Sequence, residues 1–125
     1  MNDSRRDTGR IGEELAAQHL SANGFRVIGR NYACAFGEVD LIAEGEDGLL
    51  FVEVRTRRRP YLVAPEDTVT RPKAARVMRT AQHYLMRKGL DDRQWRIDVI
   101  AVEIGSSGGL AGLTWYQNAV PGDLV

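Results

Sequence analysis

Two acidic residues, Asp40 and Glu53, lie in stretches that read as β-strands: Glu38–Ala43 is EVDLIA, and FVEVR carries Glu53 between Phe51 and Arg55. Residues two apart on a strand leave the same face. Glu38 and Asp40 therefore form one pair, and Phe51, Glu53 and Arg55 form one row. A central strand of a small α/β domain turns apolar side chains to both sides. An acid set into such a run carries a desolvation cost that something must compensate. Asp40 and Glu53 on adjacent strands repel each other unless one is protonated or a cation bridges them. A hard divalent ion such as Mg²⁺ suits the pair, because it takes one or two carboxylates and completes its shell with water and phosphate oxygens. Glu13 offers a third acid if its helix turns the Glu13, Ala16 and Leu20 row inward. Strand-borne acids are more often plain surface residues, so this spacing alone does not establish a metal site.

The elements that must position these acids follow from periodicity. A helix is predicted over residues 8–23, with Thr8 as a fair N-cap and Gly24 as its stop. Residues 1–7 are polar and expected to fray. Two stripes are available on the helix: Ile11, Leu15 and Ala22, or Glu13, Ala16 and Leu20. A short strand over 25–30 leads into a connection over 31–36. Strands over 38–43 and 49–56 are joined by Glu-Gly-Glu-Asp-Gly, whose Asp-Gly pair is a strong hairpin signal. Residues 57–70, with Pro60 and Pro65, read as a basic loop. A second helix over 70–89 has Pro72 in its first turn, and places Ala74, Val77, Met78, Ala81, Tyr84 and Leu85 on one face. An apolar strand follows over 95–103, then a Ser/Gly-rich turn over 105–109 and a last short strand over 113–117. The order α-β-β-β-α-β in 125 residues makes one domain spanning 1–125, without internal repeat or linker.

Composition narrows the class. The chain is 43% hydrophobic and 27% charged with zero net charge, ordinary values for a globular protein. The zero conceals segregation: residues 1–54 hold 5 basic and 10 acidic side chains, residues 55–88 hold 10 and 2, and residues 89–125 hold 2 and 5. A locally positive field is available to a neutral chain. No apolar run is long enough to span a bilayer, which argues against a membrane role. The opening MNDSRRDTGR has no apolar core, so no secretory signal is expected there. The single Cys34 cannot form an internal disulfide, and the expected location is the cytoplasm.

Asp40, twelve intervening residues and then Glu53-Val54-Arg55 resemble the PD-(D/E)XK signature of restriction-endonuclease-like nucleases. A longer ordered set resembles the bacterial YraN-like family, related in fold to archaeal Holliday-junction resolvases. It runs through Gly12-Glu13 with Ala16 and Leu20, Asn31, Gly37-Glu38-Val39-Asp40, Phe51-Val52-Glu53-Val54-Arg55, Lys73 with Ala81 and Leu85, and Arg96-Ile97-Asp98-Val99. The likeness covers about residues 8–104. It implies an α/β fold with a restriction-endonuclease-like αβββαβ core, a mixed sheet flanked by helices. It also implies Asp40 and Glu53 as metal ligands, the Val54 carbonyl completing the inner shell, and Glu13 as the helix acid aimed at the same site. The signature usually ends in Lys, and here stands Arg55. Arginine stays protonated, so Arg55 is suited to orient a phosphate or stabilise developing charge but not to act as general base.

Three function classes follow. The first is a metal-dependent endonuclease using Mg²⁺, with Mn²⁺ as the alternative, on DNA, branched DNA included. Catalytic residues would be Asp40, Glu53, Arg55 and Glu13. Arg57, Arg58 and Arg59 with Lys73, Arg76 and Arg79 would form a track for the phosphate backbone. The plainer reading of those cations is a solvated helix face and an exposed loop. The second class is a DNA-binding or scaffold module without turnover, for which Arg55 is the support. The third is a protein-interaction domain, which would bind nothing in a salt-dependent way. A homodimer is compatible with the second apolar stripe on the first helix. Of the aromatics only Tyr61 falls in the basic loop, which gives a base-stacking platform little support. His19 and His83 lack partners at zinc-ligand spacing. Cys34 reads as a plain thiol, and Trp95, Trp115 and Tyr116 read as packing residues. Asp98 reads as one half of an ion pair with Arg96, and residues 105–109 as a turn lacking the Lys-Ser/Thr of a phosphate loop.

Overall fold

The computed structural model describes residues 4–58 and 71–119. Arg59 of the cation run, Tyr61, Thr70 and residues 1–3 of the expected frayed segment lie outside the described residues. Two helices and five strands follow in the order α1 (Ser4–Ala22), β1 (Arg26–Cys34), β2 (Gly37–Gly45), β3 (Gly48–Arg58), α2 (Arg71–Lys88), β4 (Trp95–Ile104) and β5 (Leu110–Tyr116). The strands form one mixed sheet in the order β1-β2-β3-β4-β5. β3 and β4 run parallel and the other neighbours antiparallel. The parallel pair requires a crossover, and α2 is that crossover.

Each helix covers one face. α1 sets Ala16, Ala17 and Leu20 against Leu41, Ala43, Leu50, Val52, Ile100, Val102 and Ile104. α2 sets Val77, Met78, Ala81, Tyr84 and Leu85 against Val39, Ile42, Leu49, Phe51 and Ile97. Buried strand residues that alternate between the two clusters, Leu49, Leu50, Phe51 and Val52, explain why β3 reads as an unbroken apolar run. The result is a restriction-endonuclease-like arrangement, a five-stranded mixed sheet between two helices. Asp98, fully buried on β4, is held by Arg96 Nε at 3.0 Å, Trp115 Nε1 at 2.8 Å and the Asn118 N–H at 2.8 Å, so it is a structural acid.

Several expected boundaries move. α1 starts at Ser4, so residues 4–7 are helical where fraying was expected, and Ala22 of the first stripe is exposed. β1 continues to Cys34 through the segment expected to be a connection. Its polar, half-exposed composition suits a sheet edge, which is why no apolar alternation marks it. Arg57 and Arg58, expected in a loop, extend β3 and pair with Glu103 and Ile104 of β4. Among the described residues no helix is long and apolar enough to cross a membrane.

Gly12 lets α1 lie on β3. A Cβ there would stand 1.9 Å from Thr56 Oγ1. Gly12→Ala must therefore push the helix off the strand and is expected to cost about 1–3 kcal/mol in urea unfolding. Thr56→Ala in the same chain should return part of that loss, and strictly additive effects would disprove the contact's role.

Candidate active site at a fork in the sheet

The last β2–β3 pair at this end is Leu41 with Val52, although both strands run on beyond it. The sheet forks at the next residues, Asp40 and Glu53. In place of a ladder bond, the Val54 N–H donates to Asp40 Oδ2 at 2.8 Å. On the other side of Asp40 the β1–β2 register passes from Arg30–Leu41 to Tyr32–Val39 without an Asn31–Asp40 pair. There Asn31 adopts φ 51°, a left-handed conformation that asparagine tolerates better than most residues. Its side chain hydrogen-bonds Glu13 on α1. Alternation on β2 also breaks at this point, since Val39 packs on the α2 side and Leu41 on the α1 side.

The fork opens a cleft of about 480 Å³ lined by Glu38, Asp40, Glu53, Val54, Arg55, Lys73 and Arg76, with Gly37 and Val77. Burial pushes the Asp40 carboxyl up from 3.8 to about 7, and the charge of Glu53 adds to the rise; the Val54 N–H opposes it, while Glu13 and Glu38 contribute further repulsion. Glu13 is raised as well, first by burial; the Asn31 hydrogen bond works against that shift and the charge of Glu38 with it. Glu53 is compensated differently. Lys73 Nζ lies 3.4 Å and the Arg55 guanidinium 3.7 Å from the same carboxylate oxygen, Glu53 Oε2. These three side chains are well covered, with exposures of 13% for Glu53, 16% for Arg55 and 32% for Lys73.

The fork thus collects Asp40, Glu53, Val54 and Arg55, and it adds Lys73 and Arg76, which the sequence reading assigns to a DNA track. Lys73 stands directly against a site carboxylate. Glu38 lines the cleft too; its alternation with Asp40 was the signal for it. Asn31 carries no chemical signature of its own, and its role comes from its backbone. Glu13 is within electrostatic reach of Asp40, Glu38 and Glu53 but does not line the cleft. Among the described residues no three His, Cys, Asp or Glu side chains converge into a ready metal cage. A divalent ion in this cleft would find Asp40 and Glu53 as carboxylate donors and the Val54 carbonyl as a third oxygen, with Glu13 outside the lining. That donor set is all oxygen and suits a hard ion that keeps several waters. The remaining expected cations scatter. Arg58 turns to α1, where Nε donates to Thr8 Oγ1 at 3.3 Å. Arg57 lies four residues beyond Glu53 on β3, and Arg79 is exposed one turn along α2 from Arg76, outside the cleft lining.

The "Uncharacterised protein family UPF0102" matches residues 12–102, from the glycine under α1 to the end of the site-bearing core. The chain belongs to UPF0102. A UPF0102 protein of Moorella thermoacetica is 39% identical over 95% of this chain and 99% of its own length. One from Symbiobacterium thermophilum is 44% identical over 84% and 89%. Among solved structures, SfsA of Pyrococcus furiosus in complex with Ca²⁺ overlaps 94% of this chain and 65% of its own, at 15% identity and a TM-score of 0.39, too loosely to carry an argument. The UPF0102 match includes Glu13, Asn31, Glu38, Asp40, Glu53, Arg55 and Lys73 within its span.

The raised Asp40 fixes a direction for stability. Between 3.8, its unfolded value, and about 7, the folded metal-free protein binds more protons than the unfolded chain. Stability therefore falls as pH rises through that window. Chemical unfolding across the window should show this decline, and Asp40→Asn should flatten it. An unchanged slope in Asp40→Asn would remove the raised Asp40 carboxyl from the account.

Proposed function

We propose that this UPF0102 protein is a divalent-metal-dependent endonuclease acting on DNA at the fork between β2 and β3. The observation that carries the reading is Asp40, driven up to about 7 by burial and by Glu53, in a cleft that also holds Arg55 and Lys73. Two acids at such proximity favour a cation, and the flanking protein cations favour an anionic substrate. Asp40 and Glu53, with the Val54 carbonyl, would hold Mg²⁺ or Mn²⁺. Such an ion makes water more acidic and offsets charge on a phosphate.

The chain's own residues do the rest. The Val54 N–H, donating to Oδ2 at 2.8 Å, fixes the Asp40 carboxylate in the cleft lining. Arg55, permanently protonated, is suited to bind a phosphate oxygen and to stabilise charge that builds on it. Lys73 pairs with Glu53 Oε2 at 3.4 Å and supplies a second positive charge at the same place. Arg76 and, one turn on, Arg79 extend the positive rim along α2 for the neighbouring backbone. Sequence-neutral affinity is what such phosphate contacts give.

A second reading rests on one specific observation. Lys73 and Arg55 already neutralise Glu53, so protein cations offset part of the charge that a metal would otherwise offset. On that reading the protein binds DNA without cutting it.

Cleavage of labelled duplex, flapped and four-way-junction DNA in Mg²⁺, Mn²⁺ or EDTA separates the two. Metal-dependent cutting that the Asp40→Asn, Glu53→Gln protein lacks is the expected result. Equal traces in both proteins would assign the cutting to a contaminant, and binding without cutting would select the second reading. Lys73→Gln should slow cleavage about 100- to 1,000-fold, as loss of a preorganised charge does, whereas Arg79→Gln should mainly weaken binding. Metal binding can be read without activity. Mg²⁺ should raise the melting temperature more at pH values above the Asp40 value of about 7 than below it, because ion and proton compete for one carboxylate.

A further inference from the structure

Phe36 is an aromatic side chain held out of the core one residue before the cleft wall begins. It sits in the two-residue turn between β1 and β2, is 45% exposed, and directly precedes Gly37 and Glu38 of the cleft wall. The turn is fixed. Gly37 has φ 143°, and a Cβ at that residue would meet Thr80 Oγ1 at 3.5 Å and Arg76 Cβ at 3.7 Å, so the backbone lies close against α2. The ring is supported from behind. Its centroid is 6.2 Å from that of His83, edge to face, and the Tyr32 hydroxyl meets His83 Nδ1 at 2.7 Å. Tyr32 in turn packs edge to face on Tyr84, and Tyr84 on the buried Phe51. A chain of rings thus runs from the core to an exposed Phe beside a cationic rim.

We infer that Phe36 stacks on an unpaired nucleobase next to the phosphate held in the cleft, which makes the preferred substrate DNA with a local unpaired segment instead of continuous duplex. The inference rests on the DNA reading of the fork. Inside a duplex both faces of every base are already stacked, and a protein ring gains nothing there without unstacking a step. A base at a flap, bulge or junction has a free face, and stacking on it tolerates any sequence. Cations beside the ring hold the backbone and the ring holds the base, a combination typical of sites for unpaired strands. No periodicity marks Phe36, because it lies in what reads as a connection beside a single apolar neighbour.

The test is binding in EDTA, where cutting cannot interfere. Fluorescence anisotropy is measured with a duplex and with the same duplex carrying a short single-stranded flap, for the wild type, Phe36→Ala and Phe36→Trp. Phe36→Ala should weaken flap binding about 5- to 150-fold, the span that one lost base stack gives. Duplex binding should stay within about twofold, and Phe36→Trp should restore flap binding. A 2-aminopurine placed in the flap should be quenched by the wild type and by Phe36→Trp, but not by Phe36→Ala. Matching melting temperatures for the three proteins exclude a folding defect in an exposed position. Equal loss on both DNAs, or no loss on either, overturns the stacking role and leaves the endonuclease reading standing. Selective loss in a protein that never cuts DNA supports stacking and removes the endonuclease. A wild type that binds neither DNA overturns both.

Discussion

The repulsion between Asp40 and Glu53 at the point where β2 leaves β3 is the constraint around which the site is arranged. Each acid is largely removed from water and meets a partner, and the two find different ones. Asp40 takes a backbone N–H from Val54 and remains raised to about 7. Glu53 takes Lys73 and Arg55. A continued ladder would have closed the strands over this position. The left-handed Asn31 on one side and the ended β2–β3 pairing on the other keep Asp40 out of regular sheet. Irregular backbone at a place where charges concentrate is a cost that a purely structural strand would have no reason to bear.

Two packing decisions bring the remaining groups to that point. Gly12 lets α1 close on Thr56, and the next residue is Glu13, within electrostatic reach of both acids. The parallel β3–β4 pair obliges the chain to cross over the sheet, and the start of that crossover helix carries Lys73 and Arg76. A helix that begins near the carboxyl end of β3 must present its first turns to residues 53–55. The ion pair between Lys73 and Glu53 is thus a consequence of topology as much as of side-chain chemistry.

Regular periodicity carried most of the fold from the sequence alone. The apolar face of α2, the alternating run of β3 and the hairpin between β2 and β3 each have one strong local cause; the hairpin forms, but its two turn residues are Glu46 and Asp47, and Gly48 opens β3. What periodicity could not supply were the breaks in it. β1 is an edge strand whose polar residues face solvent, so its second half looked like a connection. Arg57 and Arg58 read as loop because they are basic, yet the ladder to β4 holds them in strand. At the site, Asp40, Glu53 and Arg55 could be paired from spacing, and Glu13 from its helix row. Asn31, the face switch between Val39 and Leu41, and the approach of Lys73 to Glu53 depend on three-dimensional contacts between elements far apart in the chain. His83, isolated in sequence, proves to be an inner member of an aromatic chain.

Zero net charge and a cleft lined by cations beside acids are compatible because the segregation along the chain becomes a juxtaposition in space. The acid-rich first half supplies Glu13, Glu38, Asp40 and Glu53, and the basic segment begins at Arg55, two residues after the last of them. Its cations, carried across the sheet by α2, return over those acids. Lys73 and Arg55 flank Glu53, while Arg76 and Arg79 are exposed on α2, Arg76 in the cleft lining. Overall neutrality then says nothing about the local field, which depends on where the crossover lands. The same crossover packs Thr80 and Arg76 under the turn that displays Phe36. One helix therefore sets the charge compensation of Glu53, the positive rim and the position of the exposed ring. A shift of α2 along the sheet would disturb all three together, which makes its packing on Val39, Ile42 and Phe51 a condition of the cleft's geometry as well as of stability.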